Sequence, residues 1–291
     1  MRRDRLVGRS ARCHDSRVIA GPPDPRQAFT EVDESAFAPV LMAYLERVAE
    51  LPEIGAWRAI AVELMEVGPG MRVLDAGSGL GEAARELAEL VEPGGEVTAI
   101  DLSAQMVQAA AAGGGPRVTY EQADVTDLPF ASDSFDRTRC ERVLQHLSEP
   151  DLALAELTRV TVPGGRVCVL DPDWQSLAVD VDDPALVAMI AADFDARGAQ
   201  PDIGRTLRRR LVRAGLVDVD VRVHPITYTS AQAAGNVLPF FDESIPREAR
   251  LVPDEVRDRW FAAVRRADAE GTFWAASLGY VACGTVPESA A

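Results

Sequence analysis

Between residues 71 and 171, short apolar runs alternate with stretches whose apolar positions recur every three or four residues. Short apolar runs bounded by turns are typical of buried strands, and a period near 3.6 is typical of amphipathic helices. The expected strands are MRVLDA, GEVTAID, PRVTYEQAD, SFDRTRC and RVCVLD, and the expected helices are GEAARELAELV, SAQMVQAAAA and a helical stretch that reaches residue 160. This alternation predicts a mostly parallel sheet with helices on both faces.

The pattern differs on either side of this region. Residues 37–67 have helical periodicity interrupted at Pro52 and Gly55, which predicts two short helices. The later elements are a helix at 203–214, a strand at 217–224, a long polar and aromatic segment at 225–271 and a last strand at 277–286. Two late strands joined by a long insertion predict an antiparallel end to the sheet, with the insertion as a lid.

The chain is expected to form one domain with short tails. Its 291 residues are enough for one large core with an appended lid. Residues 1–28 are interpreted as a flexible tail and residues 288–291 as a second one. Within the domain at 29–287, residues 29–68 form a helical cap and residues 225–271 form the lid insertion.

Composition narrows the classes of partner. The formal net charge of −16 argues against a nucleic-acid partner, because a phosphate backbone requires a basic face. The chain has no run of about 18 apolar residues and no apolar segment behind its first arginines, so neither a membrane span nor a secretion signal is expected. The cytoplasm is the expected compartment.

Two residue types limit the chemistry. The four cysteines, Cys13, Cys140, Cys168 and Cys283, are far apart and match no metal-binding spacing, so no metal is expected. All 30 basic residues are arginine. No lysine can therefore form a Schiff base or take part in a tyrosine–lysine proton relay.

One loop, VLDAGSGLGE at residues 73–82, carries the strongest chemical signal. Its glycines, spaced G-x-G-x-G, allow a sharp turn and a close approach of a ligand to the backbone, and the following helix presents free N–H groups. Asp101 ends the next strand about 20 residues later, the separation typical of a carboxylate that binds ribose hydroxyls. These features alone also fit a dinucleotide-binding fold.

Two further carboxylates favour a different ligand. Asp75 directly precedes the glycines, where it would repel a pyrophosphate but could hold an ammonium group, and Asp124 closes the third strand. The carboxyl ends of parallel strands meet at one edge of a sheet. Asp75, Asp101 and Asp124 are therefore expected to line one hollow that suits a positively charged nucleoside.

Five segments together resemble the class I S-adenosylmethionine-dependent methyltransferases. They are VLDAGSGLG, AIDLS, QADVTDLPF, SFDRTRCERVLQHL and PGGRVCVLDPDW, in this order and at matching spacing. Over roughly residues 36–287 the chain is similar to the small-molecule "type 11" branch, which includes the ubiquinone and menaquinone biosynthesis methyltransferases. The resemblance implies a Rossmann-like α/β fold whose seven-stranded, mostly parallel sheet has an antiparallel last strand.

The resemblance also implies where S-adenosylmethionine, the expected cofactor, would bind. Asp75, Gly77, Ser78 and Gly79 would surround its methionine part, and Asp101 would bind the ribose hydroxyls. The other implied contacts are Leu102 and Met106 beside the adenine, Asp124 and Val125 at the adenine edge, and Cys140 and Glu141 at the end of the fourth strand. Glu141 and its neighbour Arg142 are either site residues or surface charges.

Few residues are candidates for catalysis or acceptor binding. His146 matches a position where this family often has histidine, and it either braces the loop or acts as a base. Asp173, in DPDW, would attract an amine or cap the following turn. The expected substrate contacts are Trp174, Tyr228, Phe240 and Phe241, although the lid aromatics also fit a local hydrophobic cluster.

The sequence therefore predicts methyl transfer to an O, N or C nucleophile of a small molecule, such as a natural-product intermediate. One alternative is a cofactor-binding relative with a non-methylating activity such as cyclisation. A weaker one is an NAD-dependent oxidoreductase, which the glycine spacing and the lack of lysine disfavour. The methyl acceptor and self-association as a homodimer stay open.

Overall fold

The structure is a computed structural model that describes residues 32–34, 38–115, 117–196, 200–243 and 252–288. The expected tails, 1–28 and all of 288–291 except its first residue, lie outside these ranges. The helices are α1 Ala38–Ala49, α2 Pro52–Met65, α3 Glu82–Leu90, α4 Ala104–Ala112, α5 Pro150–Val160, α6 Pro184–Asp195, α7 Ile203–Arg213, α8 Ala231–Gly235 and α9 Asp254–Ala269. The strands are β1 Arg72–Ala76, β2 Glu96–Asp101, β3 Val118–Gln122, β4 Phe135–Glu141, β5 Thr161–Val179, β6 Val217–Tyr228 and β7 Ala275–Thr285.

The seven strands of the described residues form one sheet in the order β3-β2-β1-β4-β5-β7-β6. The strands β1 to β5 pair in parallel, and β7 lies antiparallel between β5 and β6. The expected fold class, including the antiparallel last strand, is confirmed. The order of connections reverses between β1 and β4, so the carboxyl ends of these strands flank the crevice where open α/β sheets bind ligands.

Alternate side chains of the central strands pack into two hydrophobic cores, one on each face of the sheet. Val73 and Ala99 face the layer that contains α2, α3 and α9, whereas Leu74 and Ile100 face the layer that contains α5 and α7. The helix α2 lies directly on the sheet, because a Cβ at position 279 of β7 would come within 2.9 Å of the Trp57 ring. A glycine in β7 therefore permits this close packing.

The helix α2 differs from the sequence-based expectation. It begins at Pro52, which is tolerated in a first turn, but it continues through Gly55 to Met65. Arg137 of β4 and Arg166 of β5 donate hydrogen bonds to carbonyls of its last turn. Guanidiniums there satisfy carbonyls that lack helical partners and interact favourably with the helix dipole. These contacts with the sheet outweigh the low helix propensity of glycine.

The strand β5 is longer than its apolar run indicates. The sequence predicts that it ends at Asp171, but it continues to Val179 because its backbone pairs with β7, with Asp173 opposite Leu278. The two aspartates are therefore strand residues with buried carboxylates, and they do not belong to a following turn. The sequence pattern also does not identify α6, whose buried residues Leu186 and Ile190 join the core on the face that α9 covers.

The insertion between β6 and β7 is helical. The strand β6 continues to Tyr228, into the segment expected as the lid, and α8 and α9 follow. Phe241 lies in an aromatic cluster, with its ring centroid 5.5 Å from that of Trp260 and 5.4 Å from that of Phe273. The Trp260 indole donates to the Phe240 carbonyl over 2.7 Å. This cluster holds α9 against the rest of the lid.

Candidate active site

The loop between β1 and α3 is a tight turn built on three glycines. Gly77, Gly79 and Gly81 have φ values of 74°, 54° and 78°, in the left-handed region that residues with side chains rarely adopt. A Cβ at Gly77 would also clash with the Val143 side chain, which follows β4. Two N–H groups at the start of the turn donate to a β2 carbonyl over 2.8 Å. The turn, called the glycine turn hereafter, is therefore fixed against both neighbouring strands.

Asp101, the last residue of β2, is held by backbone N–H groups. Its Oδ2 accepts from Gly79 over 2.9 Å and its Oδ1 from Ser103 over 3.0 Å. Burial raises the pKa of this carboxyl, and the two N–H donors oppose the rise. The adjacent Leu102 exposes 43% of its surface, whereas Met106 in the first turn of α4 is buried. The strand β2 thus ends in a carboxylate beside an accessible apolar side chain.

Asp124 is placed differently from the other two expected carboxylates. It follows β3, is exposed, and accepts hydrogen bonds from the backbone N–H and the hydroxyl of Thr126 over 2.8 and 2.7 Å. The neighbouring Val125 is buried. Burial raises the pKa of Asp101, and the nearby charges of Asp33 and then Asp75 raise it further. Asp75 and Asp101 are therefore within electrostatic reach of each other, whereas Asp124 caps its own turn.

Asp75 is buried at the centre of the sheet and paired with an arginine. Its Oδ1 accepts a hydrogen bond over 2.7 Å from Arg139, the residue opposite it on β4. Burial raises the pKa of Asp75, and the guanidinium of Arg139 counteracts the rise. Within the described part of the chain, Oδ2 is buried and has no hydrogen-bond partner. One carboxylate oxygen is thus fixed by Arg139, and the other is available to a ligand.

Arg139 also connects Asp75 to the N-terminal helices. It donates to Glu141, and Arg58 of α2 donates to the same Glu141 oxygen over 3.1 Å. Burial disfavours the ionised form of Glu141, but the charges of Arg139, Arg58 and Arg142 outweigh this effect and lower its pKa to about 2. Asp75, Arg139, Glu141 and Arg58 therefore form a buried set of paired acidic and basic side chains, which we call the charge network.

The sequence pattern does not single out Arg139 and Arg58 as site residues, although a signal exists in β4. A strand buried on both faces is normally apolar, whereas β4 reads FDRTRCE and places Arg137, Arg139 and Glu141 on one face. Such a face requires charged or polar partners in the helix layer that covers it. The identity of Arg58 could not be predicted, because it lies 83 residues from Glu141 in the chain.

Buried polar atoms without a partner lie at the carboxyl ends of β1, β4 and β5. Within the described ranges they are Asp75 Oδ2, Ser78 Oγ, Glu141 Oε1, Arg142 Nε and Asp171 Oδ2. Buried polar groups in folded proteins are normally satisfied. A set of unsatisfied ones at a single edge of the sheet therefore indicates a polar ligand.

Cys140, near the end of β4, and His146, in the turn after it, are both neutral at neutral pH. Burial raises the pKa of the Cys140 thiol well above its ordinary value, which makes the thiol unreactive. Burial and the nearby charge of Arg142 lower the pKa of His146 to about 4. His146 can therefore accept a hydrogen bond, but it is a weak base.

Asp171 fixes the turn that carries His146. Its Oδ1 accepts from the backbone N–H of Gln145 over 3.3 Å, and burial raises its pKa well above the ordinary value. The side chain of Gln145 accepts a hydrogen bond over 2.7 Å from the indole of Trp174, which is partly buried. The turn that carries His146 therefore also fixes the position of the Trp174 indole.

Asp173 is occupied by an ion pair. It is buried, and Arg205 of α7 contacts both of its oxygens, with one guanidinium nitrogen 2.9 Å from Oδ1. The Arg205 side chain is 45% exposed. Asp173 could accept a proton from a ligand only after this two-point contact is broken.

The other expected substrate residues lie in the hydrophobic layer under the lid. Tyr228 is buried, burial raises the pKa of its phenol, and its hydroxyl has no hydrogen-bond partner among the described residues. Phe240 and Phe241 are buried at the lid's aromatic cluster. Tyr44 of α1 donates to the Val237 carbonyl, after α8, over 3.3 Å. The helix α1 and the lid therefore meet beside the site.

The described residues also bear on metal binding and on membrane insertion. In the described ranges no group of three or more His, Cys, Asp or Glu side chains could hold a metal ion, and no helix is long and apolar enough to cross a membrane. Cys140, Cys168 and Cys283 are buried free thiols, and Cys13 lies outside the described residues.

Two family models match parts of the chain. A methyltransferase domain model matches residues 74–169, and a model of the protein-L-isoaspartate(D-aspartate) O-methyltransferase family matches residues 16–114. The first range contains the glycine turn, Asp101, Asp124 and the charged strand β4. It therefore includes every residue expected to contact the cofactor.

Curated relatives match at about one third identity. An uncharacterised 37.1 kDa protein in transposon TN4556 of Streptomyces fradiae is 34% identical over 258 residues, which are 86% of this chain and 72% of that protein. The ubiquinone/menaquinone biosynthesis C-methyltransferase of Geotalea daltonii is 33% identical over 44% of this chain and 57% of its own length. The demethylmenaquinone methyltransferase of Paenarthrobacter aurescens is 32% identical over 51% of this chain and 61% of its own length. The chain thus spans less than two thirds of either quinone methyltransferase.

Solved structures share the fold at low identity. The YcgJ protein of Bacillus subtilis has a TM-score of 0.56 and 20% identity, covering 81% of this chain and 100% of that one. The [4+2]-cyclase SpnF has a TM-score of 0.55 and 19% identity, covering 92% and 99%. A Haemonchus contortus phosphoethanolamine N-methyltransferase 2, in complex with phosphomonomethylethanolamine and S-adenosylhomocysteine, has a TM-score of 0.55 and 19% identity, covering 88% and 59%. These similarities concern the fold alone.

Proposed function

The chain belongs to the class I S-adenosylmethionine-dependent methyltransferases, and from this premise we propose that it transfers a methyl group from S-adenosylmethionine to an oxygen, nitrogen or carbon atom of a small molecule. The observation that carries the proposal is the buried, unpartnered Oδ2 of Asp75 beside the glycine turn. An acceptor oxygen in this place suits the ammonium group of an amino acid, and it would repel a pyrophosphate.

The residues at the carboxyl ends of β1, β2 and β4 fit this cofactor. Asp75 Oδ2 would bind its ammonium group, and Asp101 would bind the ribose hydroxyls with Leu102 against the adenine. Gly77 and Gly79 carry no side chain that would obstruct the approach to the backbone. Further proposed contacts come from Ser78, Met106, Asp124, Val125, Cys140 and Glu141.

The chain's contribution to catalysis would be alignment and the exclusion of water. When bound, S-adenosylmethionine supplies a methyl group on a positive sulfur and needs no acid to release it. Leu45 of α1 lies over the glycine turn, 3.5 Å from the position of a Cβ at Gly79. The neighbouring Tyr44 contacts the lid. The helix α1 would therefore cover the cofactor and join the lid over the acceptor.

The low basicity of His146 and the ion pair of Asp173 limit the kinds of acceptor group that this site could methylate. His146, with a pKa of about 4, would orient a nucleophile through a hydrogen bond but would remove a proton inefficiently at neutral pH. Asp173 is paired with Arg205. An acceptor that ionises readily, such as an acidic phenol or an enol, therefore fits this site better than an aliphatic alcohol. Trp174 and the lid residues Tyr228, Phe240 and Phe241 are proposed as the apolar wall.

The weakness of these bases favours one second candidate. A cyclisation or similar rearrangement requires shape complementarity and no proton transfer. In such a reaction the bound cofactor would remain unchanged, and His146 and Trp174 would contact the substrate only to orient it.

Isothermal titration calorimetry of the full chain with S-adenosylmethionine and S-adenosylhomocysteine tests the cofactor. Dissociation constants in the micromolar range are expected, and the lack of binding of either ligand at millimolar concentration would refute the proposal. Transfer of a labelled methyl group to a panel of small phenols and enols tests the reaction. Labelled product supports methyl transfer, whereas tight binding without transfer across the panel favours the second candidate.

A further inference from the structure

Arg142 has an unusual backbone conformation at the end of β4. Its φ is 56°, in the left-handed region where arginine is uncommon. Its N–H donates to the Leu170 carbonyl over 2.7 Å, and its carbonyl accepts from the Gln145 side chain over 3.0 Å. Conformations of this kind persist where the surroundings enforce them, and they cluster at ligand sites. The position of the side chain is therefore set by a constrained backbone.

The guanidinium of Arg142 lacks a hydrogen-bond partner for its buried Nε. The side chain of Arg142 is 17% exposed. Its Nε lies 3.4 Å from Oε1 of Glu141, with which it forms an ion pair. Among the described residues, neither Nε nor Oε1 has a hydrogen-bond partner. Arginine carries five N–H donors, and buried charges in proteins are normally paired. The Nε donor of this guanidinium therefore remains available to an anionic acceptor, since Glu141, with which it forms an ion pair, does not accept a hydrogen bond from it.

The charges near Arg142 do not balance. The charge network together with Arg142 contains three guanidiniums and two carboxylates. The other acidic neighbour of Arg58, Glu86, lies 3.5 Å away with 57% of its side chain exposed, so solvent screens it. Burial raises the pKa of Asp171, which weakens its contribution as an anion. One buried positive charge therefore remains without a counter-charge.

Arg142 lies next to the glycine turn. The following residue, Val143, is so close to Gly77 that a Cβ there would clash with it. Burial lowers the pKa of His146, and the nearby charge of Arg142 lowers it further. Burial raises the pKa of Tyr44 in α1, and the charge of Arg142 opposes this rise. Arg142 thus lies within electrostatic reach of α1 and of the rest of the turn after β4. Asp75, which directly precedes the glycine turn, has the opposite charge, and its Oδ2 is also unsatisfied.

We propose that Arg142 binds the carboxylate of the amino-acid end of S-adenosylmethionine, while Asp75 binds its ammonium group. The inference rests on the proposed function. An amino acid carries both charges on one carbon, which matches two unsatisfied groups of opposite sign beside one turn. A guanidinium and a carboxylate can form two parallel hydrogen bonds, the strongest type of polar contact available here.

Three ligands with different amino-acid ends test the assignment in binding experiments. S-Adenosylhomocysteine carries the ammonium and the carboxylate, S-adenosyl-3-thiopropylamine carries the amine alone, and 5′-methylthioadenosine carries neither. The wild-type chain is expected to bind the first about 10- to 100-fold more tightly than the second. In Arg142→Met this ratio should fall below about threefold, while the affinities for the other two ligands stay at their wild-type values.

Matched variants control for charge and folding. Arg222→Met removes an exposed arginine of β6 that pairs with Asp220, and it should leave all three affinities unchanged. Arg142→Lys keeps the charge without the two-point geometry and should retain part of the preference for the carboxylate. A wild-type ratio in Arg142→Met overturns the proposal. If that variant does not fold, a wild-type ratio in Arg142→Gln overturns it equally.

The methyl acceptor is another source of a carboxylate. Titration of the chain saturated with S-adenosylhomocysteine with benzoate distinguishes the two sources. Benzoate binding that Arg142→Met abolishes, with an unchanged ratio for the adenosyl ligands, would overturn the assignment to the cofactor. If the wild-type chain binds none of the three adenosyl ligands, the proposed function itself fails. If it binds all three equally, only this inference fails.

Discussion

The two halves of the carboxyl edge of the sheet are built differently. At β1 and β2 the main chain defines the site, through the left-handed conformation of Gly77 and the N–H groups that hold Asp101. At β5 to β7 side chains fill the edge, with Tyr228 and Phe241 buried under the lid and Trp174 hydrogen-bonded to a neighbouring turn. According to the roles proposed for them above, we call these the cofactor half and the acceptor half.

The difference teaches which constraints act on each half. A Cβ at Gly77 would clash, so the backbone geometry admits one residue type there. A packed layer admits many combinations of apolar side chains provided that the volume is kept. The methyltransferase domain model accordingly matches residues 74–169, which end within β5 and before the lid. The glycine turn and Asp101 thus lie within the range that this model matches, and the lid lies outside it.

Arg139→Met should have the largest effect, because it breaks the charge network inside the cofactor half. The change removes the partner of the buried Asp75 and one of the two arginines that donate to Glu141. We expect this to lower the free energy of unfolding by about 3–5 kcal/mol. Urea unfolding measures this loss. It would show that the cofactor half depends on side-chain pairing as well as on backbone geometry.

The control for this prediction is Arg137→Met, on the same strand and the same face. Arg137 donates to a helix carbonyl and contacts no carboxylate of the charge network, so its loss should cost about 1–3 kcal/mol. Equal losses for the two variants would contradict a special role for the network.

Asp75→Asn should have the next largest effect, on ligand binding. The amide keeps the shape but removes the charge that would face the ammonium group. Affinity for S-adenosylhomocysteine should fall about 10- to 100-fold, and affinity for 5′-methylthioadenosine should not change. Calorimetry provides both values.

Asp124→Asn is the matched carboxylate control. Asp124 is exposed and caps its own turn, so its change should alter the affinity for S-adenosylhomocysteine by less than about threefold. A loss as large as that of Asp75→Asn would mean that the three strand-end carboxylates form one hollow, as the sequence predicts.

The sequence predicts the strands and the order of the sheet well, but it does not predict several contacts in either half, for physical reasons. Glycine spacing and strand-end aspartates are local signals, and the sheet order with its antiparallel last strand is confirmed. The extension of β5 to Val179 depends on pairing with β7, and the contact of Arg58 with Glu141 joins residues 83 positions apart. Such features follow from tertiary packing, which no local pattern contains.

Phe241→Leu should sharpen the comparison from the acceptor side. It removes ring contacts with Trp260 and Phe273 in the lid and should lower the unfolding free energy by about 1–2 kcal/mol. Affinity for S-adenosylhomocysteine should remain at the wild-type value, because the cluster belongs to the acceptor half. A parallel loss of affinity would show that the two halves are not separable.

The last expected effect is a pH dependence at His146, where the two halves meet. Its pKa is about 4, against an ordinary value of 6.5, so between these values the unfolded chain binds a proton that the folded chain does not. The associated stability is present above pH 6.5 and is lost as the pH falls toward 4, by about 2 kcal/mol near pH 5. His146→Gln should therefore lose less stability in urea than the wild-type chain when the pH is lowered from about 7.5 to about 5. An equal loss would place His146 in contact with water on the acceptor side, where it could act as a base.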